Sequence, residues 1–340
     1  MINFSNLLVG LAIGDAYGAG VEFQDRNWIA DNVDFTKFVS SRHLIKCRSE
    51  QSELFVKNYT DWDYTDDTEM TIGLMKALMS SKEFTEDNLV NAFKAEYDYG
   101  IEAKGYGRNG HGSMAWFYSG EKSIKEIRDF QRDRPNPGNA PTMRSVPLAF
   151  IEENLINDYC KINAQSTHPN ALAVASSQVI AWAARCIVYE EGDKKSLINY
   201  VLEKMDFNSE FKVYLKHIDT LPFEGDLSLE TLQALCGNQP IEPPYFLSGI
   251  EGLPSDSKYT AGVVLYILKH ISDPFEGLKY AIQIGGDVDS SASIVTGILA
   301  ARFGLTSLPH FMIENVEGRE YVEQVGEKFN AFAKAKKDNI

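Results

Sequence analysis

The chain has 340 residues, 44% of them hydrophobic, and carries a formal net charge of −15 at pH 7, with a pI near 4.9. This length and hydrophobic content are sufficient for one large buried core. The acidic balance argues against nucleic acid as a partner, since proteins that bind it usually present a basic face.

Apolar residues recur at helical spacing through most of the chain, for example at Met70, Leu74 and Leu78. The apolar residues 7–13 resemble the core of a signal peptide, but no Lys or Arg precedes them, so a buried first helix explains them better. In chain order, the pattern predicts helices over residues 4–20, from 66 onward, over 85–98, 144–157, 171–189 after a cap at 166–168, 195–204, 227–236, 258–271, 274–283, 289 to about 304, and 318–335.

Sustained alternation of apolar and polar residues, the signature of half-buried strands, is nearly absent. We find no internal repeat and no Gly/Ser-rich linker that would divide the chain. The sequence therefore predicts one all-α domain over residues 1–340, a compact helical bundle with long functional loops. Residues 27–62 and the proline-rich residues 132–141 have no clear period and are candidates to line a pocket.

Adjacent carboxylates occur at two predicted helix starts. Residues 64–69 read Tyr-Thr-Asp-Asp-Thr-Glu, and residues 284–291 read Ile-Gly-Gly-Asp-Val-Asp-Ser-Ser. One interpretation is structural: Asp66 is the N-cap, Glu69 completes a capping box, and Asp67 favours the helix dipole. Capping accounts for one acid at each place but not for four. If the two helix starts meet, the carboxylates repel each other, and a shared cation is the simplest way to relieve that repulsion.

Carboxylate and hydroxyl oxygens without thiolates or clustered histidines select Mg²⁺ or Mn²⁺ over zinc or copper. The candidate ligands are Thr65, Asp66, Asp67, Asp287, Asp289 and Ser290. They suffice for two cations if one or two carboxylates bridge. The pattern differs from that of an EF-hand, whose ligands come from one short loop.

Other segments offer groups for a substrate. Glu22 lies seven residues after Asp15, hence on the same face of a continuing helix, and is the candidate acid/base; the alternative is a surface residue beyond the helix end. Residues 105–110 match the dinucleotide fingerprint, but a polar helical segment precedes them instead of a buried strand, so only a glycine-rich phosphate cradle remains. Residues 137–144 precede a helix start that suits an anion. His168, taken alone, is more typical of a capping or packing imidazole.

In this order, the segments GDAYGAGVEF, YTDDTEM, GYGRNG, GNAPTMRSVP, STHPNA and GGDVDS resemble the ADP-ribosylglycohydrolase family. That family includes the dinitrogen-reductase-activating glycohydrolases and the ADP-ribosyl-acceptor hydrolases. The resemblance spans residues 4 to about 304 and implies a compact all-α fold with a dinuclear Mg²⁺ or Mn²⁺ centre at the base of a cleft. The six candidate ligands match the family's metal ligands. Catalytic roles are then expected for Glu22, Asp66 and Asp289.

The resemblance also implies substrate contacts. Glu22 matches the acidic residue that some members place over the substrate ribose. The positions that match the diphosphate and ribose contacts, or the Thr-His segment beside them, are Gly105, Gly107, Gly138, Asn139 and His168. Two departures stand out. Ser290 replaces the commoner Thr and keeps the hydroxyl, whereas Pro141 removes one backbone N–H from the phosphate segment.

We therefore expect a hydrolase that cleaves the glycosidic bond between ADP-ribose and an acceptor. ADP-ribosylated arginine on a protein is the leading expectation, with serine-linked ADP-ribose or a small ADP-ribosyl metabolite as alternatives. Bound cations would orient the distal ribose and lower the pKa of a water molecule. Two rival functions are a two-metal phosphoesterase that attacks the diphosphate and a non-catalytic family member that only binds ADP-ribose.

The remaining expectations concern the protein's surroundings. The cysteines are scattered without the spacing of a zinc site and are expected to be free thiols: Cys47, Cys160, Cys186 and Cys236. No apolar run is expected to approach the roughly 20 residues of a membrane span. A cytoplasmic protein with no membrane partner follows, and one compact domain is compatible with a monomer.

Overall fold

The computed structural model describes residues 3–41, 62–104, 111–190, 192–206, 208–245 and 247–337. Within these ranges the chain forms helices and no strand, which confirms the predicted all-α class. The α-helices are α1 Phe4–Val21, α2 Arg26–Asn32, α3 Asp66–Met79, α4 Glu86–Lys104, α5 Met114–Tyr118, α6 Ile124–Arg132, α7 Ala140–Met143, α8 Ile156–Thr167, α9 Ala171–Ala184, α10 Leu197–Lys204, α11 Ser209–Thr220, α12 Leu229–Cys236, α13 Ser257–His270, α14 Pro274–Gln283, α15 Asp289–Phe303, α16 His310–Asn315 and α17 Arg319–Lys337.

Helices α1 and α15 pack against each other at the centre of the molecule, with their backbones unusually close. Three glycines of α1, Gly10, Gly14 and Gly18, recur every fourth residue and face α15. A Cβ atom at Gly14 would lie 2.3 Å from the carbonyl oxygen of Ala292, and one at Gly18 would lie 2.4 Å from the Cα of Asp289. Because these distances are shorter than any ordinary contact, only glycine permits this approach. The start of α15 is thereby fixed against the last turns of α1.

A two-glycine turn leads into α15 and joins three parts of the chain. Gly285 and Gly286 both have positive φ, 77° and 80°, which favours glycine. The Gly286 N–H donates to the carbonyl oxygen of Gln24 at 2.8 Å, and the Asp287 N–H donates to that of Leu253 at 2.8 Å. The residues that follow α1 and the first acid before α15 are therefore held side by side.

The helix predicted over residues 144–157 was wrong. That stretch contains two short 3₁₀ helices, Val146–Phe150 and Glu153–Leu155, and α8 begins only at Ile156. The helical path breaks at Ile151, whose backbone is extended with φ −94° and ψ −177°. In the described part of the chain, seven α-helices were not predicted at their observed positions: Arg26–Asn32, Met114–Tyr118, Ile124–Arg132, Ala140–Met143, Ile156–Thr167, Ser209–Thr220 and His310–Asn315.

The cap predicted at residues 166–168 was also wrong. Thr167 ends α8 and His168 is its C-cap residue, while Asn170 is the N-cap of α9 and accepts the Leu172 N–H at 2.9 Å. The Ala-rich run then forms α9 and a π-helical turn over Arg185–Tyr189. His168 therefore lies in the tight connection between two buried helices.

Two helical segments, Phe4–Val21 and Ala171–Tyr189, are long and apolar enough to cross a membrane by length and composition. The expectation that no apolar run approaches that length was wrong. The folded chain buries 89% of the first segment and 83% of the second, as the core helices of many proteins do.

The cysteines in the described part of the chain are free and buried, as expected: Cys160, Cys186 and Cys236. Cys47 lies outside the described residues.

Candidate metal centre and substrate cleft

Carboxylates from α1, α3 and the start of α15 meet in the interior. Oxygen atoms of Asp15, Asp67 and Asp289 lie within 4.8 Å of one another, and so do oxygen atoms of Glu22, Asp287 and Asp289. Asp289 belongs to both groups. All five side chains are buried except that of Glu22, which is half-buried. The structure thus brings together three of the four paired aspartates, Asp67, Asp287 and Asp289, and adds Asp15 and Glu22 to them.

Asp15 caps α3 from the neighbouring helix. Its carboxylate accepts the backbone N–H groups of Thr65 and Thr68 at 3.0 and 2.9 Å, and both of their hydroxyls at 2.7 Å. Thr65 is the N-cap residue, and its own side chain makes no capping hydrogen bond. The predicted capping box with Asp66 as N-cap was therefore wrong, because Asp66 is the first helical residue.

This arrangement orients the Thr65 hydroxyl. Its hydrogen points to Asp15, so the lone pairs of Oγ1 stay available to a cation. Asp15 accepts the N–H groups at the start of α3, so Asp66 and Asp67 are not needed as helix caps and their carboxylates can make other contacts. Oδ1 of Asp67 is buried and has no hydrogen-bond partner among the described residues. A buried carboxylate oxygen without a donor is costly unless a cation or another partner binds it.

The crowding of acids has a direct electrostatic consequence. Burial raises the pKa of Asp66 to about 7, a change that His111 opposes and the charges of Asp15 and Glu69 reinforce. Burial, followed by the neighbouring carboxylates, also raises the pKa values of Asp67 and Asp289 well above the usual range. These groups resist ionisation together without a compensating positive charge, and a donor set of this kind fits a divalent cation.

Asp66 differs from the other predicted ligands. Its carboxylate belongs to neither group of three within the described residues, although it is buried at the start of α3 beside Asp67. Asp287, the fourth predicted acid, accepts a hydrogen bond from the Ser255 side chain and lies against the carboxyl groups of Asp289 and Glu22. Burial raises its pKa.

Asn139 connects the metal centre to α7. Its Nδ2 amide lies 3.2 Å from Oδ2 of Asp287, 3.1 Å from Oγ of Ser290 and 3.3 Å from Oγ1 of Thr260. Ser290 in turn hydrogen-bonds to Asp67. Asn139, predicted as a substrate-binding residue, thus also orients two of the predicted metal ligands.

Glu22 lies at the open side of the cluster. It is the C-cap residue of α1, and the next residue, Phe23, has a left-handed φ of 66°. The Phe23 N–H donates to the carbonyl oxygen of Gly286 at 2.8 Å, which holds this turn against the start of α15. A half-buried carboxylate that contacts Asp287 is well placed to accept or donate a proton at the edge of the site.

The predicted substrate-binding residues Gly138 and His168 lie next to each other. A Cβ atom at Gly138 would be 3.4 Å from Nε2 of His168. The Asn170 amide holds this turn against the loop before Gly138, because it donates to the carbonyl oxygens of Arg132 and Arg134 at 3.1 and 3.0 Å. Gly105 and Gly107 lie outside the described residues.

The departure at Pro141 has a simple local explanation. Pro141 lies in the first turn of α7, after the N-cap residue Asn139. The N–H groups of a first turn have no partner within the helix, so proline costs the helix nothing there.

The sequence analysis did not predict a buried pair of Glu69 and His111 near Asp66. Oε1 of Glu69 lies 3.0 Å from Nε2 of His111, and both side chains are buried. The His111 ring makes edge contacts with Tyr97 and Tyr118 at ring-centre distances of 5.0 Å. The sequence did contain a signal for this pair, because Glu69 is the third acid of the segment Thr-Asp-Asp-Thr-Glu. The capping-box interpretation had already assigned a role to Glu69, so no second role was sought.

The Asp15→Asn variant should lose stability and metal binding together. An amide offers one acceptor oxygen where the carboxylate receives four donors, and its NH₂ group would face N–H and O–H donors. The loss of buried hydrogen bonds should cost about 1–3 kcal/mol of the free energy of unfolding. Urea unfolding with and without Mn²⁺ measures both effects, and an unchanged Mn²⁺-induced stabilisation would contradict the role given to Asp15.

Comparisons with known proteins point to one family. Residues 3–339 match the model of the ADP-ribosylglycohydrolase family. ADP-ribosylhydrolase ARH3 of Homo sapiens is 23% identical over 93% of this chain and 90% of its own. An uncharacterized protein of Archaeoglobus fulgidus is 22% identical over 96% and 95%. A solved structure described as an ADP-ribosylglycohydrolase-related protein complex superposes with a TM-score of 0.63 at 19% identity, covering 97% of both chains.

Proposed function

Because the chain belongs to the ADP-ribosylglycohydrolase family, we propose that it is a metal-dependent hydrolase that cleaves the glycosidic bond between ADP-ribose and an acceptor. The observation that supports this most is that two carboxylate groups share Asp289, while Oδ1 of Asp67 has no hydrogen-bond partner in the described part of the chain. ADP-ribosylated arginine on a protein is the proposed acceptor, and serine-linked ADP-ribose is the first alternative.

Two Mg²⁺ or Mn²⁺ ions are the proposed cofactors, because the donors are hard oxygens and form two groups with one shared member. The proposed ligands are Thr65, Asp66, Asp67, Asp287, Asp289 and Ser290. When bound, such ions supply Lewis-acid activation and orientation of the substrate. Asp15 keeps the Thr65 oxygen available, and Asn139 keeps Ser290 and Asp287 in place.

The remaining groups suit glycosidic cleavage. Glu22 is half-buried at the edge of the cluster, where its carboxylate can hold or release the proton of the attacking water. The Gly138 backbone has no side chain that would keep a substrate from the adjacent helix start, and His168 is beside it. The acids would face the sugar of the substrate, and the segment at Gly138 would face the diphosphate next to that sugar.

A two-metal phosphoesterase uses similar cations, so the products must separate the two reactions. We expect arginine-linked ADP-ribosylated protein to release free ADP-ribose with Mg²⁺ or Mn²⁺ and none with a chelator. Serine-linked substrate tests the alternative acceptor in parallel. AMP and ribose phosphate as products would instead indicate attack on the diphosphate, and binding of ADP-ribose without turnover of either substrate would indicate a non-catalytic protein.

A further inference from the structure

Arg144 is a fully buried guanidinium that ends α7 and contacts the last turn of α8. Its Nε donates to the side-chain oxygen of Asn163 at 2.7 Å, and its NH2 nitrogen donates to the Asn163 carbonyl at 3.0 Å and to Oγ1 of Thr167 at 2.8 Å. The guanidinium also lies 4.4 Å from the ring centre of Phe93. Burial lowers the pKa of Arg144 to about 9, which leaves it protonated at neutral pH. It can only donate to Thr167.

Because the Thr167 hydroxyl accepts from Arg144, its own hydrogen must be donated to another atom. Oγ1 of Thr167 lies 2.8 Å from Nδ1 of His168. A threonine hydroxyl in a helix often donates to the carbonyl four residues earlier. That carbonyl, of Asn163, already accepts from Arg144 and from the Ser166 hydroxyl at 2.7 Å. Among the described residues, Nδ1 of His168 is thus the acceptor left for the Thr167 hydrogen.

We propose that Arg144 and Thr167 are positioning residues that hold the His168 proton on Nε2, so that the ring presents an N–H donor beside Gly138 to an acceptor atom of the substrate. The tautomer of a histidine is set by the hydrogen bond that its other nitrogen makes. With Nδ1 occupied as an acceptor, a neutral ring must carry its hydrogen on Nε2. The ring is neutral because burial, and then Arg144 and Arg134, lower the pKa of His168 to about 3.

The location of this donor identifies the chemistry that it recognises. Nε2 lies 3.4 Å from the position of a Cβ at Gly138, and the following residue, Asn139, contacts Asp287 and Ser290 of the metal centre. A substrate atom that reaches Nε2 therefore lies beside Gly138, one residue before the side chain that contacts the metal centre. Phosphate and hydroxyl oxygens accept from a neutral imidazole N–H, and this part of the inference rests on the proposed function. The opposite tautomer would give Thr167 two donors and leave its own buried hydrogen without an acceptor, which costs stability.

The tautomer can be read in the free protein. Long-range ¹H–¹⁵N spectra of protein labelled with ¹⁵N-histidine, with a His168→Gln sample for assignment, distinguish the two neutral tautomers from the shifts of the two ring nitrogens. We expect the proton on Nε2 and an Nδ1 shift displaced by hydrogen bonding. A proton on Nδ1 would overturn the proposal, whatever the protein hydrolyses.

A pair of variants tests the hydrogen bond from Thr167 to Nδ1 of His168. Thr167→Val keeps the shape of the side chain but removes the hydroxyl, and Thr167→Ser keeps the hydroxyl. The valine variant should bind ADP-ribose about 10- to 100-fold more weakly by calorimetry and lose the displaced Nδ1 shift, while the serine variant should retain both. Equal affinity in the valine variant and the parent protein would contradict the proposal. If the parent protein itself binds no ADP-ribose, the proposed function fails while the tautomer result still stands.

Discussion

The Asp289→Asn variant is expected to lose metal-dependent ADP-ribose release by about a thousandfold or more, because both carboxylate groups share this residue. The amide keeps the size of the side chain but offers one neutral oxygen. Its Oδ1 also accepts the Ser290 N–H at 2.7 Å, a contact that an amide oxygen can retain. The fold should therefore survive while cation binding fails, which thermal unfolding with and without Mn²⁺ measures alongside turnover.

A matched control for this variant is Asp158→Asn. Asp158 is also an aspartate in the first turn of a helix, α8, but it is exposed and lies outside both carboxylate groups. It should retain the parent's turnover and its Mn²⁺-dependent increase in Tm. Normal turnover in Asp289→Asn would rule out the shared-carboxylate account, and equal losses in both variants would show that the effect is not specific to the site. Asp66→Asn tests the proposed ligand that lies outside both carboxylate groups, and we expect it too to abolish ADP-ribose release.

The Gly18→Ala variant is expected to inactivate the protein although Gly18 is not a proposed ligand. The added Cβ would lie 2.4 Å from the Cα and 2.9 Å from the N atom of Asp289. These are backbone atoms, so α1 and α15 must move apart or the start of α15 must shift. Overpacking of this kind costs about 1–3 kcal/mol of the free energy of unfolding. Because the shift occurs at Asp289 itself, activity should fall more than stability does.

Gly225→Ala is the control for the substitution itself, since a Cβ there meets nothing within 4 Å. It should change the free energy of unfolding by less than about 0.5 kcal/mol and leave turnover unchanged. The account of helix packing would be wrong if Gly18→Ala retained both the parent's Tm and its ADP-ribose release.

The sequence was most informative about the helices and the acids at their starts. Runs of apolar and small residues located α1 and α9, and apolar residues at i+4 spacing located α3 and α15, because each of these helices buries side chains over several turns. Periodicity missed α2 and α5, which are too short, at seven and five residues, to show a clear period. It also missed α6 although the signals were present, since Ile124 and Ile127 are at helical spacing and Ser123 and Glu126 form a capping box. The apolar pattern also predicted one helix after residue 144, where the backbone instead becomes extended at Ile151 between two 3₁₀ helices.

For the candidate site, the sequence predicted which acids lie close together better than it predicted how their side chains are oriented. Because similar aspartate pairs occur at two helix starts, the sequence indicated that these two helix starts lie close together. The role of Asp15 was not deducible, because a carboxylate that caps a helix more than fifty residues away depends on the packing of α1. The same holds for Thr167, whose hydroxyl direction is set by Arg144 from another helix. Contacts between helices, rather than local patterns, decide such orientations.

The central claim, that two cations bind between the starts of α3 and α15, is tested most directly by anomalous diffraction from crystals grown with Mn²⁺. The account predicts two anomalous peaks with Asp289 adjacent to both, one toward Asp67 and one toward Asp287 and Glu22. A single peak, or Mn²⁺ bound only at surface acids, would contradict it.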